Sequence, residues 1–117
     1  MNSKVVEQKI HTVFESLEKG IAYYSIISVL YNLKLSEREL QLLAYTNHRG
    51  TISAITAKNR FCELFHTSIA TVNNLISKLK KKNLLLKQAG KISVVQSYNI
   101  DLSKQTVLNI TLSNETS

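Results

Sequence analysis

The residues of this chain whose types and spacing suit chemistry lie between Ser68 and Lys91, and the chemistry is contact with phosphates and with hydrogen-bonding bases. At about 100° per residue on a helix, Ala70, Asn74, Ser77 and Lys81 share one side, with Thr71, Asn73 and Lys78 on its flanks. A carboxamide both donates and accepts, so Asn73 or Asn74 can pair with an adenine edge. Lysine ammonium groups hold phosphates without reading sequence. Lys87 and Lys91 continue the basic series around Gly90. The candidate nucleic-acid-binding set is therefore Thr71, Asn73, Asn74, Ser77, Lys78, Lys81, Lys87 and Lys91. No arginine stands on this face, which puts bidentate arginine contacts to guanine in doubt.

Charge gathers in the same region. Residues 1–50 carry Lys4, Lys9, Lys19, Lys34, Arg38 and Arg49 against Glu7, Glu15, Glu18, Glu37 and Glu39, a net of +1. Residues 58–91 carry Lys58, Arg60, Lys78, Lys80, Lys81, Lys82, Lys87 and Lys91 against Glu63 alone, a net of +7. Clustered Lys and Arg are the electrostatic footprint of a phosphate-binding surface. The run Lys80-Lys81-Lys82 has a second rationale, because cations at a helix C-terminus are favoured by the macrodipole.

A helix must present these groups. Val72, Leu75, Ile76 and Leu79 recur at i, i+3, i+4 and i+7 and predict one, capped by Ser68 and ended by Asn83, which tolerates left-handed backbone. Its stripe is expected to bury against Phe61, Leu64, Phe65 and Leu40. A preceding helix is predicted from Ala57 to Phe65 with Thr56 as its cap, joined by the turn His66-Thr67-Ser68. Ser36-Glu37-Arg38-Glu39 is a capping box, with Leu35 and Leu40 placed as a hydrophobic staple. That helix should turn Leu40, Leu43 and Ala44 inward and end at His48-Arg49-Gly50, before an extended segment from Thr51 to Ile55. On the other side, Leu84 to Lys87 and Ile92 to Val95 flank Gln88-Ala89-Gly90-Lys91 in the pattern of a hairpin.

Toward the N-terminus, Val6, Ile10, Val13, Phe14 and Leu17 predict a helix from Lys4 to Lys19, with Gly20 as its stop. Ile21 to Leu33 reads as a second helix, while its β-branched content leaves a strand open. Val107 to Leu112 alternates in the manner of a further strand.

Residues 36–96 resemble the winged-helix folds of small prokaryotic and phage regulators and replication proteins. The resemblance rests on Leu35-Ser36-Glu37-Arg38-Glu39-Leu40, the turn at His66-Thr67-Ser68, Val72 through Leu85, and the Gly90 hairpin. The whole chain further resembles small proteins of phages of gut Bacteroides-type bacteria. This implies a mainly α winged helix-turn-helix with a small β-hairpin and extra N-terminal helices: 1–35 a helical extension, 36–96 the core, 97–117 a C-terminal extension. It also implies that the helix matching Ile69–Lys82 enters the major groove, with the wing matching Lys87–Lys91 on backbone or minor groove.

With 117 residues, 44% hydrophobic and 20% charged, the chain is expected to form one globular domain. No apolar run reaches membrane-spanning length and Met1-Asn2-Ser3-Lys4 does not open a secretory signal, so a cytoplasmic location is expected. Cys62 is the only cysteine, which excludes an internal disulfide. His11, His48 and His66 are too scattered for a metal site, and no nucleophile motif or phosphate loop is present, so neither cofactor nor catalysis is expected. The leading expectation is a non-enzymatic duplex-DNA-binding regulator, dimeric through its N-terminal helices. The alternative is a ring or connector component of a virion or other assembly, with Tyr23, Tyr24, Ile26 and Tyr31 as interface residues.

Overall fold

The computed structural model describes residues 3–98, with side chains from residue 13 onward. These residues are mainly helical. The elements are α1 (Ser3–Leu30), α2 (Glu37–Arg49), α3 (Ile55–Phe65), α4 (Ile69–Lys81), β1 (Leu85–Gln88) and β2 (Lys91–Val94), then a 3-10 turn at Gln96–Tyr98. The two strands form an antiparallel sheet. The strand expected at Val107 to Leu112 lies outside the described residues.

Gly20 does not stop α1. The apolar stripe of Val13 and Leu17 carries on through Tyr24 to Ser28 at helical spacing, and Leu17, Gly20, Tyr24 and Ser28 are all buried. Packing of that face on α2 offsets the roughly 1 kcal/mol that a mid-helix glycine costs. The segment from Ile21 is therefore the second half of one helix, and the strand alternative does not hold. The actual stop is Asn32, with φ 52°. Its N–H donates to the Val29 carbonyl at 3.3 Å while Leu33 N–H donates to the Ser28 carbonyl at 2.9 Å, the paired bonds of a Schellman end.

α2 begins as its capping box requires: Glu39 N–H donates to Ser36 Oγ at 3.2 Å, and Ser36 N–H to Glu39 Oε1 at 3.0 Å. Leu42, Leu43, Ala44, Tyr45 and Thr46 are all buried, more than the inward set read from periodicity, because α2 packs on α1, α4 and β2. Leu40 is only partly buried. The helix ends at Gly50, with φ 96°.

α3 starts two residues earlier than expected, at Ile55 instead of Ala57. Its cap is Ala54, which makes no side-chain bond, so Thr56 is inside the first turn rather than the cap. The preceding linker is drawn in by Ile52, which is fully buried and whose N–H donates to the Ile92 carbonyl of β2 at 2.9 Å. Ile55, read as extended, is instead the first residue of α3 and is exposed. Phe61 is fully buried, edge-on to Tyr45 of α2 at 5.5 Å and tilted on Phe65 at 4.8 Å. Tyr45 O–H donates to the Ala57 carbonyl at 2.9 Å, so its polar end is satisfied in the core.

α4 buries Val72, Leu75, Ile76 and Leu79, the stripe read from spacing, against α2 and α3. Its end is a second Schellman motif: Asn83, φ 62°, donates to the Lys80 carbonyl and Leu84 to the Leu79 carbonyl, 3.1 and 3.0 Å. Leu84 and Leu79, buried together in the core, supply the apolar partner pair of that motif. The strands pair as Leu85↔Val94 through Gln88↔Lys91 around Ala89 and Gly90, both at positive φ, 52° and 77°. That is the two-residue turn whose twist suits a hairpin.

Leu17, Tyr23 and Tyr24 of α1 share one core with Leu42, Phe61, Leu79, Leu84 and Val94. Tyr23 and Tyr24 are thus core, not the interface residues entertained above. Tyr24 O–H donates to the Tyr98 carbonyl at 2.8 Å, and the Tyr98 ring meets Tyr31 edge-on at 6.3 Å, which ties the 3-10 turn to α1.

Leu79→Ala is expected to lower unfolding free energy by about 2–5 kcal/mol through lost transfer energy and a residual cavity, and the exposed Ser77→Ala to change it by less than about 0.5 kcal/mol. Equal shifts in urea midpoint would contradict the packing of α4. Ala89→Gly should raise stability by up to about 1 kcal/mol, because alanine at positive φ is strained and glycine is not. An unchanged or lower midpoint would contradict that backbone.

Candidate nucleic-acid interface

The outer face of α4 is built by elimination. Once Val72, Leu75, Ile76 and Leu79 are committed to the core, Asn73, Asn74, Ser77, Lys78 and Lys81 are turned away from it, and all five are exposed. Lys80 joins them. Thr71 does not. Its N–H donates to Ser68 Oγ at 3.2 Å and its hydroxyl lies 3.0 Å from the same oxygen, so this half-buried residue serves the start of the helix.

The hairpin lysines are both exposed, but the register separates them. Lys87 pairs with Ile92 and stands on the sheet face that carries the buried Leu85 and Val94. Lys91 pairs with Gln88 on the opposite face. The structure thus brings five of the eight candidates onto one helix face and divides the wing pair between two faces.

Three interactions across elements were invisible to spacing. Lys58, from α3, donates through Nζ to Asn73 Oδ1 at 3.0 Å. Lys82, the last of the lysine run, turns away from its neighbours and holds Glu39 of α2, with Nζ 3.1 Å from Oε2 and 3.4 Å from Oε1. The partners are 15 and 43 residues apart, beyond any local pattern. Arg38 completes the set: Nη1 donates to the Phe65 carbonyl at 2.5 Å, capping the C-terminal end of α3, and to Gln41 Oε1 at 3.1 Å.

Glu39 is nearly buried, its side chain 6% exposed against 33% for Lys82. Burial alone would push its pKa up. The bonds from the Ser36 backbone and hydroxyl and from the Lys82 ammonium outweigh that and hold the carboxyl below its ordinary value of 4.5. The group therefore stays ionised, and its ion pair fixes the end of α4 to the start of α2.

Comparison with protein-family models, curated proteins and solved structures finds no match to this chain. Among the described residues, no three His, Cys, Asp or Glu side chains gather as a metal site requires, and no helix is long and apolar enough to cross a membrane.

Because the Glu39 pKa is depressed in the folded state, its contribution to stability is present above the unfolded-state pKa and is lost as pH falls through the folded one. Glu39→Gln should cost about 1–3 kcal/mol at neutral pH. It should also flatten the decline in stability between about pH 5 and pH 3 relative to the parent protein. Parallel pH–stability curves, measured by urea titration, would contradict an ionised Glu39 in this pair.

Proposed function

We propose that this chain is a winged helix-turn-helix protein that binds duplex DNA without catalysing a reaction, serving as a transcription or replication regulator. The observation that carries the reading is the outer face of α4, where two carboxamides, a hydroxyl and lysines are exposed together on a helix whose other side is locked into the core. The element order supports it: α2, a linker bonded to β2, α3, the turn at residues 66–68, α4 and a hairpin follow one another. A helix so held can enter a major groove without deforming. The lysines would supply phosphate contacts and the carboxamides base contacts.

A second reading makes the same fold a component of a virion ring or another protein assembly. One observation favours it. At the C-terminal end of α1, Val29, Leu30 and Tyr31 are 79%, 47% and 56% exposed, an apolar surface suited to a second copy of the chain.

Duplex affinity should fall steeply with salt, and Lys81→Ala or Lys91→Ala should each weaken binding on all sequences and reduce the log–log salt slope by about 1. Fluorescence anisotropy over a salt series reads both quantities. Absence of duplex binding at low salt, with self-association by sedimentation, would remove the DNA reading in favour of the second.

A further inference from the structure

We infer, resting on the DNA reading above, that Lys58 and Asn73 form one unit that recognises guanine. Lys58 belongs to α3 and is half-buried, whereas Asn73 is exposed on α4. Their contact is Lys58 Nζ to Asn73 Oδ1, 3.0 Å. An ammonium has donors only, so the atom it meets must be the carboxamide oxygen. The amide nitrogen keeps both of its N–H donors for a ligand, and Oδ1 one of its two lone pairs.

The consequence is chemical. A lone asparagine offers a donor beside an acceptor and suits adenine, but here the lysine takes one of the two lone pairs of that acceptor and sets a cationic donor beside it. What the pair presents outward is the N–H groups of the amide beside the remaining N–H groups of the ammonium. In the major groove guanine places two acceptors, N7 and O6, side by side, and an array of donors is their complement. Adenine would set its own N6 amino group against one of those donors, and thymine a methyl group. The positive charge strengthens the contact, since hydrogen bonds from an ionised donor are stronger than neutral ones. The pair thus supplies the double donor that an arginine provides elsewhere, on a face that has none.

Its place in the fold suits the task. Asn73 lies in the N-terminal part of α4, the part of a groove-bound helix from which base edges are reached. Asn74, the next residue, is exposed and its side chain makes no hydrogen bond among the described residues, so it retains both donor and acceptor and serves as the control.

The test selects sites from a duplex library with a randomised centre, then replaces each selected guanine in turn by 7-deazaguanine, which lacks the N7 acceptor. One guanine should be found at which this replacement weakens the parent protein about tenfold. Lys58→Met and Asn73→Ala should each remove that sensitivity, and the double variant should lose no more than either alone. Asn74→Ala should keep it. Unchanged thermal melts by circular dichroism would show that the surface variants fold. Selection of no guanine, or sensitivity that survives in both single variants, overturns the inference. If salt-sensitive duplex binding persists in that case, the DNA reading stands and only the guanine unit falls; loss of all duplex binding removes both.

Discussion

The turn from Leu35 to Glu39 holds the C-terminal ends of three helices, and the arrangement of the chain depends on it. Leu35 N–H donates to Ser28 Oγ near the end of α1, Arg38 donates to the last carbonyl of α3, and Glu39 takes the Lys82 ammonium at the end of α4. The N-terminus of α2, with its partial positive charge, thus meets the negative ends of three other helices, and Arg38 and Lys82 add cations at two of them. α2 itself is then enclosed: from Leu42 to Thr46 no residue is more than 2% exposed. Five successive residues span more than a full helical turn, so along that stretch α2 is covered on every side.

Enclosure has a consequence for the helix ends. Around a central helix the chain must reverse tightly, and it does so at Asn32, His66 and Asn83, each with left-handed backbone and none a glycine. Asparagine visits this region with little strain, so Asn32 and Asn83 were available as stop signals. Asn83 was legible because the apolar stripe of α4 ended beside it. Asn32 was obscured by Gly20, a stronger signal in isolation. What decided between them was burial: Gly20 lies on the face of α1 that packs on α2, where the stripe runs from Leu17 to Tyr24 unbroken.

Local chemistry was therefore legible and partners were not. The capping box at Ser36, the α4 stripe and the cap at Ser68 involve residues three to seven positions apart, and spacing states them directly. The cap at Thr56 failed for a tertiary reason. Ile52 is drawn into the core and bonded to β2, which moves the start of α3 back to Ala54, a residue with no capping group. Hairpin register was visible only to within one residue, since Leu84 serves the end of α4 instead of starting β1. The split of Lys87 from Lys91 follows from that register.

The lysine run shows why charge counted along a sequence overstates the surface available to a polyanion. Lys80, Lys81 and Lys82 are adjacent, yet Lys82 is half-buried and committed to Glu39 while its neighbours are exposed. At about 100° per residue, three successive side chains span more than half the circumference of a helix, so one of them must turn toward the protein. The one that does lies at the helix end, where a buried carboxylate and the helix dipole both favour a cation. The outward charge of α4 is thus reduced by the same contact that holds the helix still. On the proposed reading that trade is favourable: a phosphate-binding lysine adds attraction without selectivity, whereas Asn73 and Asn74 can discriminate bases only from a helix whose position is fixed.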